Sequence, residues 1–80
     1  MPAIEVVVAH RNNVPALSRL LTALREQTEP VAVCVVDDAS TDETPDVIPA
    51  AFPEIRYERL SENVGFSRAN NHGIRGSAAD

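Results

Sequence analysis

The sequence predicts an α/β fold in which a three-stranded parallel sheet is covered by helices on both faces. Two β-branched apolar runs, Ile4 to Ala9 and Val31 to Val36, are too continuous for strands that expose one face to water. Apolar residues at helical spacing separate these runs, and the alternation continues as β-α-β-α-β-α along the chain. This order is typical of a three-layer, doubly wound sheet.

The first strand passes directly into a polar loop and then a helix. Asn13 has the side chain of a helix N-cap, and Pro15 falls in the first turn, where its missing N–H has no cost. The apolar residues that follow share one helical face: Val14, Leu17, Leu20, Leu21 and Leu24. We expect this helix to end near Gln27, with residues 28–30 connecting it to the second strand.

An acidic loop and a short helix follow the second strand. Ser40 and Glu43 have the spacing of a capping box, whereas Pro45 fits a helix start at Asp42 or Thr44 better. The sequence does not choose between these starts.

The third strand and the last helix complete the pattern. Ile55 to Leu60 is more polar than the other strands, which favours an edge position. A polar loop, residues 61–65, leads into a helix from Phe66 to about Arg75. We expect four residues to line one side of this helix: Phe66, Ala69, Gly73 and Ile74. The small side chains of Ala69 and Gly73 would allow a close approach to the neighbouring element.

The outer edge of the first strand has no partner strand in this sequence. In a doubly wound sheet the first strand is normally central, with a neighbour on each side. An exposed apolar edge is an association hazard. We therefore expect these 80 residues to be the first half of a longer domain, or a homo-oligomer in which a partner chain covers the edge.

Composition argues against several classes of partner. Twelve acidic and seven basic residues give a net charge of −5, which disfavours a nucleic acid held through its phosphates. There is no apolar run as long as a membrane span and no secretory signal, so we expect a cytoplasmic chain. The single cysteine, Cys34, cannot form an internal disulfide and is expected to be a small buried hydrophobe.

Each predicted strand ends in a polar loop, and the carboxyl ends of parallel strands meet at one edge, where ligands bind in such sheets. The loops are His10 to Asn13, Asp37 to Asp42 and Ser61 to Gly65. No glycine-rich phosphate cradle follows the first strand, so a dinucleotide fingerprint and a P-loop are both absent. Asp38 is well placed to accept hydrogen bonds from ribose hydroxyls or a base N–H.

The motif Val-Asp-Asp-x-Ser-x-Asp-x-Thr at 36–44, with Asn-x-Gly-Phe at 63–66 and Ala-Asn-Asn-x-Gly at 69–73, resembles the family 2 glycosyltransferases. The match covers essentially the whole chain. The resemblance implies the GT-A fold, a Rossmann-like nucleotide-sugar domain that performs metal-dependent, inverting transfer from a nucleoside diphosphate sugar. The segment is most similar to bacterial rhamnosyl- or galactofuranosyltransferases acting on cell-surface polysaccharide.

By position, the resemblance implies a set of nucleotide-binding residues: Ala9, His10, Arg11, Asp37, Asp38, Asn63, Gly65 and Arg68. Arg11 stands where the family usually has an aromatic ring, and a guanidinium also stacks on a base. The implied donor is a UDP- or dTDP-linked sugar. The family's Asp-x-Asp metal motif and catalytic base come later than this segment. The resemblance therefore implies Mn²⁺ or Mg²⁺ for the full-length protein, with its ligands outside these 80 residues, and an inactive isolated chain.

Other interpretations of the same residues stay open. Asp38 and Asp42 could share Mg²⁺ in an unrelated acidic-cluster protein. The chain could also be a non-catalytic scaffold or dimerisation module. At the residue level, Asp37 and Asp38 could have the purely structural role of capping the next helix. Asn63 and Gly65 could likewise have no role beyond forming a tight turn.

Overall fold

The computed structural model describes residues 5–27 and 31–76. Six elements alternate along the chain: β1 (Glu5–His10), α1 (Val14–Arg25), β2 (Ala32–Asp37), α2 (Thr44–Ala51), β3 (Arg56–Arg59) and α3 (Phe66–Arg75). The predicted β-α-β-α-β-α order is confirmed. The predicted strand start at Ile4 and the connection at 28–30 lie outside the described residues.

The three strands are parallel and lie in the order β1-β2-β3. The central strand is therefore β2, and β3 has the predicted edge position. At the carboxyl end of the sheet His10 pairs with Asp37, and Asp37 pairs with Arg59. Within the described residues, no strand pairs with the outer edge of β1.

Two apolar clusters cover the two faces of the sheet, which confirms the three-layer arrangement. On one face the buried residues come from α1, β2, α2 and the residue that ends α2: Leu17, Leu21, Val35, Ile48 and Phe52. On the other face Cys34 and Val36 pack against Ala69 of α3. Successive residues of β2 alternate between these clusters, as the pleat of a strand requires. Cys34 is fully buried, as predicted, and burial raises the pKa of its thiol.

The first two helices begin at polar caps. Asn13 is the N-cap of α1, as predicted, and its side chain accepts a hydrogen bond from the backbone N–H of Ala16 at 3.2 Å. Helix α2 begins at Thr44, the start that fits Pro45. The carboxylate of Asp42 accepts hydrogen bonds from both the backbone N–H and the hydroxyl of Thr44.

Helix α3 packs against the sheet through its two smallest residues. Ala69 and Gly73 are buried, and a Cβ on Gly73 would lie only 2.6 Å from Val7 Cγ1. The prediction that Phe66 and Ile74 share this buried side is wrong, because they are 58% and 59% exposed. Phe66 is the first residue of α3, and the part of α3 that packs against the sheet is the narrow stripe formed by Ala69 and Gly73. Among the described residues, no helix has the length and apolarity of a membrane span.

Candidate functional site

The three polar loops meet at the carboxyl edge of the sheet. His10, Asp37 and Arg59 occupy neighbouring positions in the last row of the sheet, which we call the terminal row. Main-chain bonds extend this pairing one residue further. The N–H of Asp38 donates to the carbonyl of His10, and the N–H of Leu60 donates to the carbonyl of Asp37, both at 2.8 Å. The predicted convergence of the loops is confirmed.

The first loop is fastened to the second loop by Asn12. Its N–H donates to Ser40 Oγ at 2.8 Å, and its Oδ1 accepts the N–H groups of Thr41 and Asp42 at 2.8 and 3.2 Å. A further bond joins the N–H of Asn13 to the Asp42 carboxylate at 3.0 Å. Asn12 has a φ of 62°, in the left-handed region that asparagine tolerates better than most residues. That tolerance was the only signal in the sequence for the role of Asn12, which was not predicted.

Asp37 is the buried centre of the site. Its side chain is 0% exposed and accepts hydrogen bonds from the Ser40 N–H, at 2.8 Å, and from the Tyr57 hydroxyl. Burial, followed by the bond to this carboxylate, raises the pKa of Tyr57 far above its usual value. The guanidinium of Arg59 lies 4.0 Å from the same carboxylate. Tyr57 and Arg59 are site residues that the sequence analysis did not identify.

Asp38 fastens the third loop. Its Oδ1 accepts the N–H of Val64 at 2.7 Å, and its Oδ2 accepts the N–H of Gly65 at 2.9 Å. Gly65 has a φ of 89°, a conformation that side chains rarely adopt, so glycine suits this position. The Asp38 residue is only 1% exposed, so in this conformation its carboxylate serves the protein backbone. A direct contact between Asp38 and a nucleoside stays a prediction.

The competing interpretation of Asp37 and Asp38 as helix caps is wrong, because the N–H of Thr44 at the start of α2 bonds to Asp42 instead. The bond to Thr44 also lowers the pKa of the Asp42 carboxyl. Asp38 and Asp42 have separate main-chain partners. Across residues 5–27 and 31–76, no group of three or more His, Cys, Asp or Glu side chains is arranged to hold a metal ion.

The remaining predicted residues divide between the mouth of the site and the core. Arg11, Asn63 and Arg68 are exposed in the first loop, the third loop and the first turn of α3, and we call these exposed segments the mouth of the site. The side chain of Ala9 packs against the α3 cluster, on the opposite face from Asp37. His10 Nε2 is buried and has no hydrogen-bond partner in the described part of the chain.

A parallel sheet with helices on both faces and polar loops gathered at its carboxyl edge defines a Rossmann-like α/β domain, a class that binds ligands at that edge. Residues 5–80 match the family model described as glycosyl transferase family 2. The chain belongs to this family.

Two bacterial relatives are similar in sequence. The N-acetylglucosaminyl-diphospho-decaprenol L-rhamnosyltransferase of Mycobacterium tuberculosis is 38% identical over 61 residues, covering 75% of this chain and 20% of the relative. The succinoglycan biosynthesis protein ExoO of Rhizobium meliloti is 37% identical over 76 residues, covering 92% of this chain and 22% of that protein. The chain thus spans about a fifth of the length of these relatives.

Two solved structures have the same fold. S. aureus TarS (residues 1–349) superimposes with a TM-score of 0.85 at 26% identity, over 99% of this chain and 25% of TarS. The mannosyltransferase PcManGT of Pyrobaculum calidifontis, solved with GDP-Man and Mn²⁺, gives a TM-score of 0.80 at 29% identity, over 96% of this chain and 25% of the neighbour. These neighbours confirm the predicted GT-A fold.

Proposed function

We propose that this chain is the N-terminal, donor-binding part of a family 2 glycosyltransferase domain. In the longer protein, a sugar would pass with inversion from a nucleoside diphosphate to a cell-surface glycan acceptor. The observation that carries the proposal is the fastening of three polar loops at one edge of the sheet by Asn12 and Asp38. Fixed loops bind a ligand at a lower entropic cost than loops that must first become ordered. The family membership and both relatives support this proposal.

The exposed groups at the mouth would contact the nucleotide. Arg11 and Arg68 would supply cations, and a guanidinium can both pair with phosphate and stack on a base. Asn63 and Gly65 would line the loop that closes over the nucleoside. Asp37 and Asp38 would hold the surrounding loops in position. His10 Nε2, which is buried and unpartnered in the described residues, would be available to a ligand group.

The donor class is a nucleoside diphosphate sugar, for which we propose a UDP- or dTDP-linked form. PcManGT was solved with GDP-Man and Mn²⁺, which supports a nucleotide-sugar donor and a divalent cation for the parent protein of this chain. The described residues do not fit the cation, because they contain no suitable cluster of ligands. We therefore propose that the Mn²⁺ or Mg²⁺ ligands and the catalytic base lie elsewhere in the longer protein. We also propose that the protein is located in the cytoplasm.

Calorimetry tests this proposal. The 80-residue chain is titrated with UDP, dTDP and GDP, with and without Mn²⁺, and the Asn12→Gly variant serves as the loop mutant. We expect nucleotide binding by the wild type and at least severalfold weaker binding by Asn12→Gly. Glycine keeps the backbone conformation but loses the two hydrogen bonds that the side-chain Oδ1 of Asn12 accepts. Arg19→Gln, exposed on α1, is the control.

Three results would contradict the proposal. Binding of Mn²⁺ alone would favour an acidic-cluster protein, and absence of any binding would favour a scaffold. Detectable sugar transfer by the isolated chain would show that these residues already contain the catalytic groups, against our assignment.

We also propose that another strand covers the outer edge of β1. That edge pairs with no strand among the described residues, and such edges promote association. In the isolated chain the covering strand would come from a second copy, giving a homo-oligomer. Sedimentation over a hundredfold concentration range tests this, and a monomer at every concentration would contradict it.

A further inference from the structure

The exposed guanidinium of Arg59 is the feature of the site that neither the motif nor the proposed function uses. Arg59 ends β3 in the terminal row, and its side chain is 48% exposed. Its Nη2 donates to the carbonyl of Ser40 at 3.1 Å, and its Nε lies 4.0 Å from Asp37 Oδ2. A guanidinium carries five N–H groups in a planar fork. The guanidinium of Arg59 is therefore fixed by its bond to the Ser40 carbonyl and still has N–H groups that can donate to a ligand.

The charges around Arg59 indicate which part of a bound nucleotide would lie next to its guanidinium. Asp37 and Asp38 are buried at the end of β2, and their carboxylates bond to β3 and to the loop that follows β3. The hydrogen bonds of Asp38 come from main-chain N–H groups alone, and Arg59 is the only cation close to Asp37 among the described residues. A diphosphate at this end would be repelled by these two carboxylates, whereas an uncharged base would not.

The opposite end of the terminal row has an exposed cation for the phosphates, and the Asp42 carboxylate there is engaged by the N–H groups of Asn13 and Thr44. Arg11 is exposed directly after β1. Strands lie about 4.8 Å apart, so the β1 and β3 ends of the row are roughly 10 Å apart, a distance that a nucleoside spans. A nucleotide laid along the carboxyl edge would therefore place its base beside Arg59 and its phosphates toward Arg11.

The chemistry of the base contact follows from these positions. The Asp38 carboxylate, an acceptor, is occupied by main-chain N–H groups, whereas Arg59 offers donors. We propose that Arg59 is a specificity-determining residue that donates hydrogen bonds to an exocyclic carbonyl of the donor's base. It would favour uracil, thymine or guanine over adenine, which presents an amino group instead of a carbonyl. This inference rests on the proposed function.

Titrations of UDP and ADP test the inference, because the two ligands share a diphosphate and a ribose and differ in the base. The variants are Arg59→Gln and Arg59→Lys, with Arg19→Gln as a control for the loss of one positive charge elsewhere. We expect the wild type to prefer UDP. We expect Arg59→Gln to weaken UDP binding about tenfold or more, within the range of a specific guanidinium contact to a base, and to change ADP binding less than twofold.

Arg59→Lys separates charge from geometry, because lysine keeps the charge near Asp37 but loses the planar fork. Arg59→Lys should also lose the preference for UDP. If circular dichroism shows that Arg59→Gln does not fold, the comparison of Arg59→Lys with the wild type serves as the test. Equal weakening of UDP and ADP, or no change, would overturn the role of Arg59 and leave the proposed function intact. A wild-type chain that binds neither nucleotide would overturn both.

Discussion

At the scale of single residues, the site uses its two adjacent carboxylates to hold loops. Asp37 joins the start of the second loop to β3 through Ser40 and Tyr57. Asp38 joins the same loop to the third loop through two main-chain N–H groups. Burial of a carboxylate is tolerated only when its oxygens are hydrogen-bonded. The tandem aspartates therefore determine the shape of the carboxyl edge whether or not a ligand touches them.

Asp38→Asn should lower the free energy of unfolding by about 2 kcal/mol, because one amide NH₂ would face a buried N–H of Val64 or Gly65. Urea denaturation measures this loss, and hydrogen exchange of the Val64 and Gly65 amides should become faster. Glu62→Gln, exposed in the same loop, should stay within about 0.5 kcal/mol of the wild type. Unchanged exchange at both amides would show that Asp38 does not hold the third loop.

At the scale of elements, the distance between α3 and the sheet is set by side-chain size. A Cβ on Gly73 would lie 2.6 Å from Val7 Cγ1 and 2.8 Å from Val36 Cγ2. Valine has few alternative rotamers, so neither neighbour moves away easily. Because α3 begins at Phe66, directly after the two residues whose N–H groups Asp38 binds, its packing also positions the third loop.

Gly73→Ala should destabilise the protein by about 1 kcal/mol. Overpacking typically costs about 1–3 kcal/mol, and the better helix propensity of alanine offsets roughly 1 kcal/mol of that. The change is measured as the shift in the urea midpoint. Ser67→Ala, exposed on the same helix, should be neutral or slightly stabilising. A Gly73→Ala protein as stable as Ser67→Ala would mean that the helix can move outward without loss.

At the scale of the whole molecule, the alkaline titration is unusually simple because all seven basic residues are arginine. Among the described side chains, this leaves Cys34 and Tyr57 as the groups that lose protons in the alkaline range. The fold raises the pKa of both, through burial of the thiol and through burial of the phenol beside Asp37. In the unfolded chain the thiol and the phenol would titrate at about pH 8.5 and 10, respectively.

The contribution of Cys34 and Tyr57 to the free energy of unfolding should therefore be fully present at neutral pH. It should fall as the pH rises past about 8.5, because the two groups lose their protons at lower pH in the unfolded state than in the folded state. Urea midpoints between pH 7 and 11 measure the fall. Tyr57→Phe should lower stability at neutral pH, since Asp37 loses a hydrogen bond, and should flatten the decline above about pH 10. A decline above pH 10 as steep as that of the wild type would show that Tyr57 is not its cause.

The sequence alone determined the elements and the class of protein, because both depend on local patterns. Continuous β-branched runs predicted β1 and β2, helical spacing predicted α1 and α3, and capping and proline signals predicted α2, in the order that the structure confirms. The polar residues after each strand and the spaced acidic motif predicted a family that the comparison confirmed.

Only the tertiary structure decided what each polar side chain at the carboxyl edge does. Tyr57 reaches Asp37 across 20 residues, and Asp38 reaches Gly65 across 27. These pairings depend on the register between strands, which places Arg59 in the terminal row, and no local pattern encodes that register. The exposure of Phe66 has the same origin, since an apolar residue is buried only where a neighbouring element reaches it.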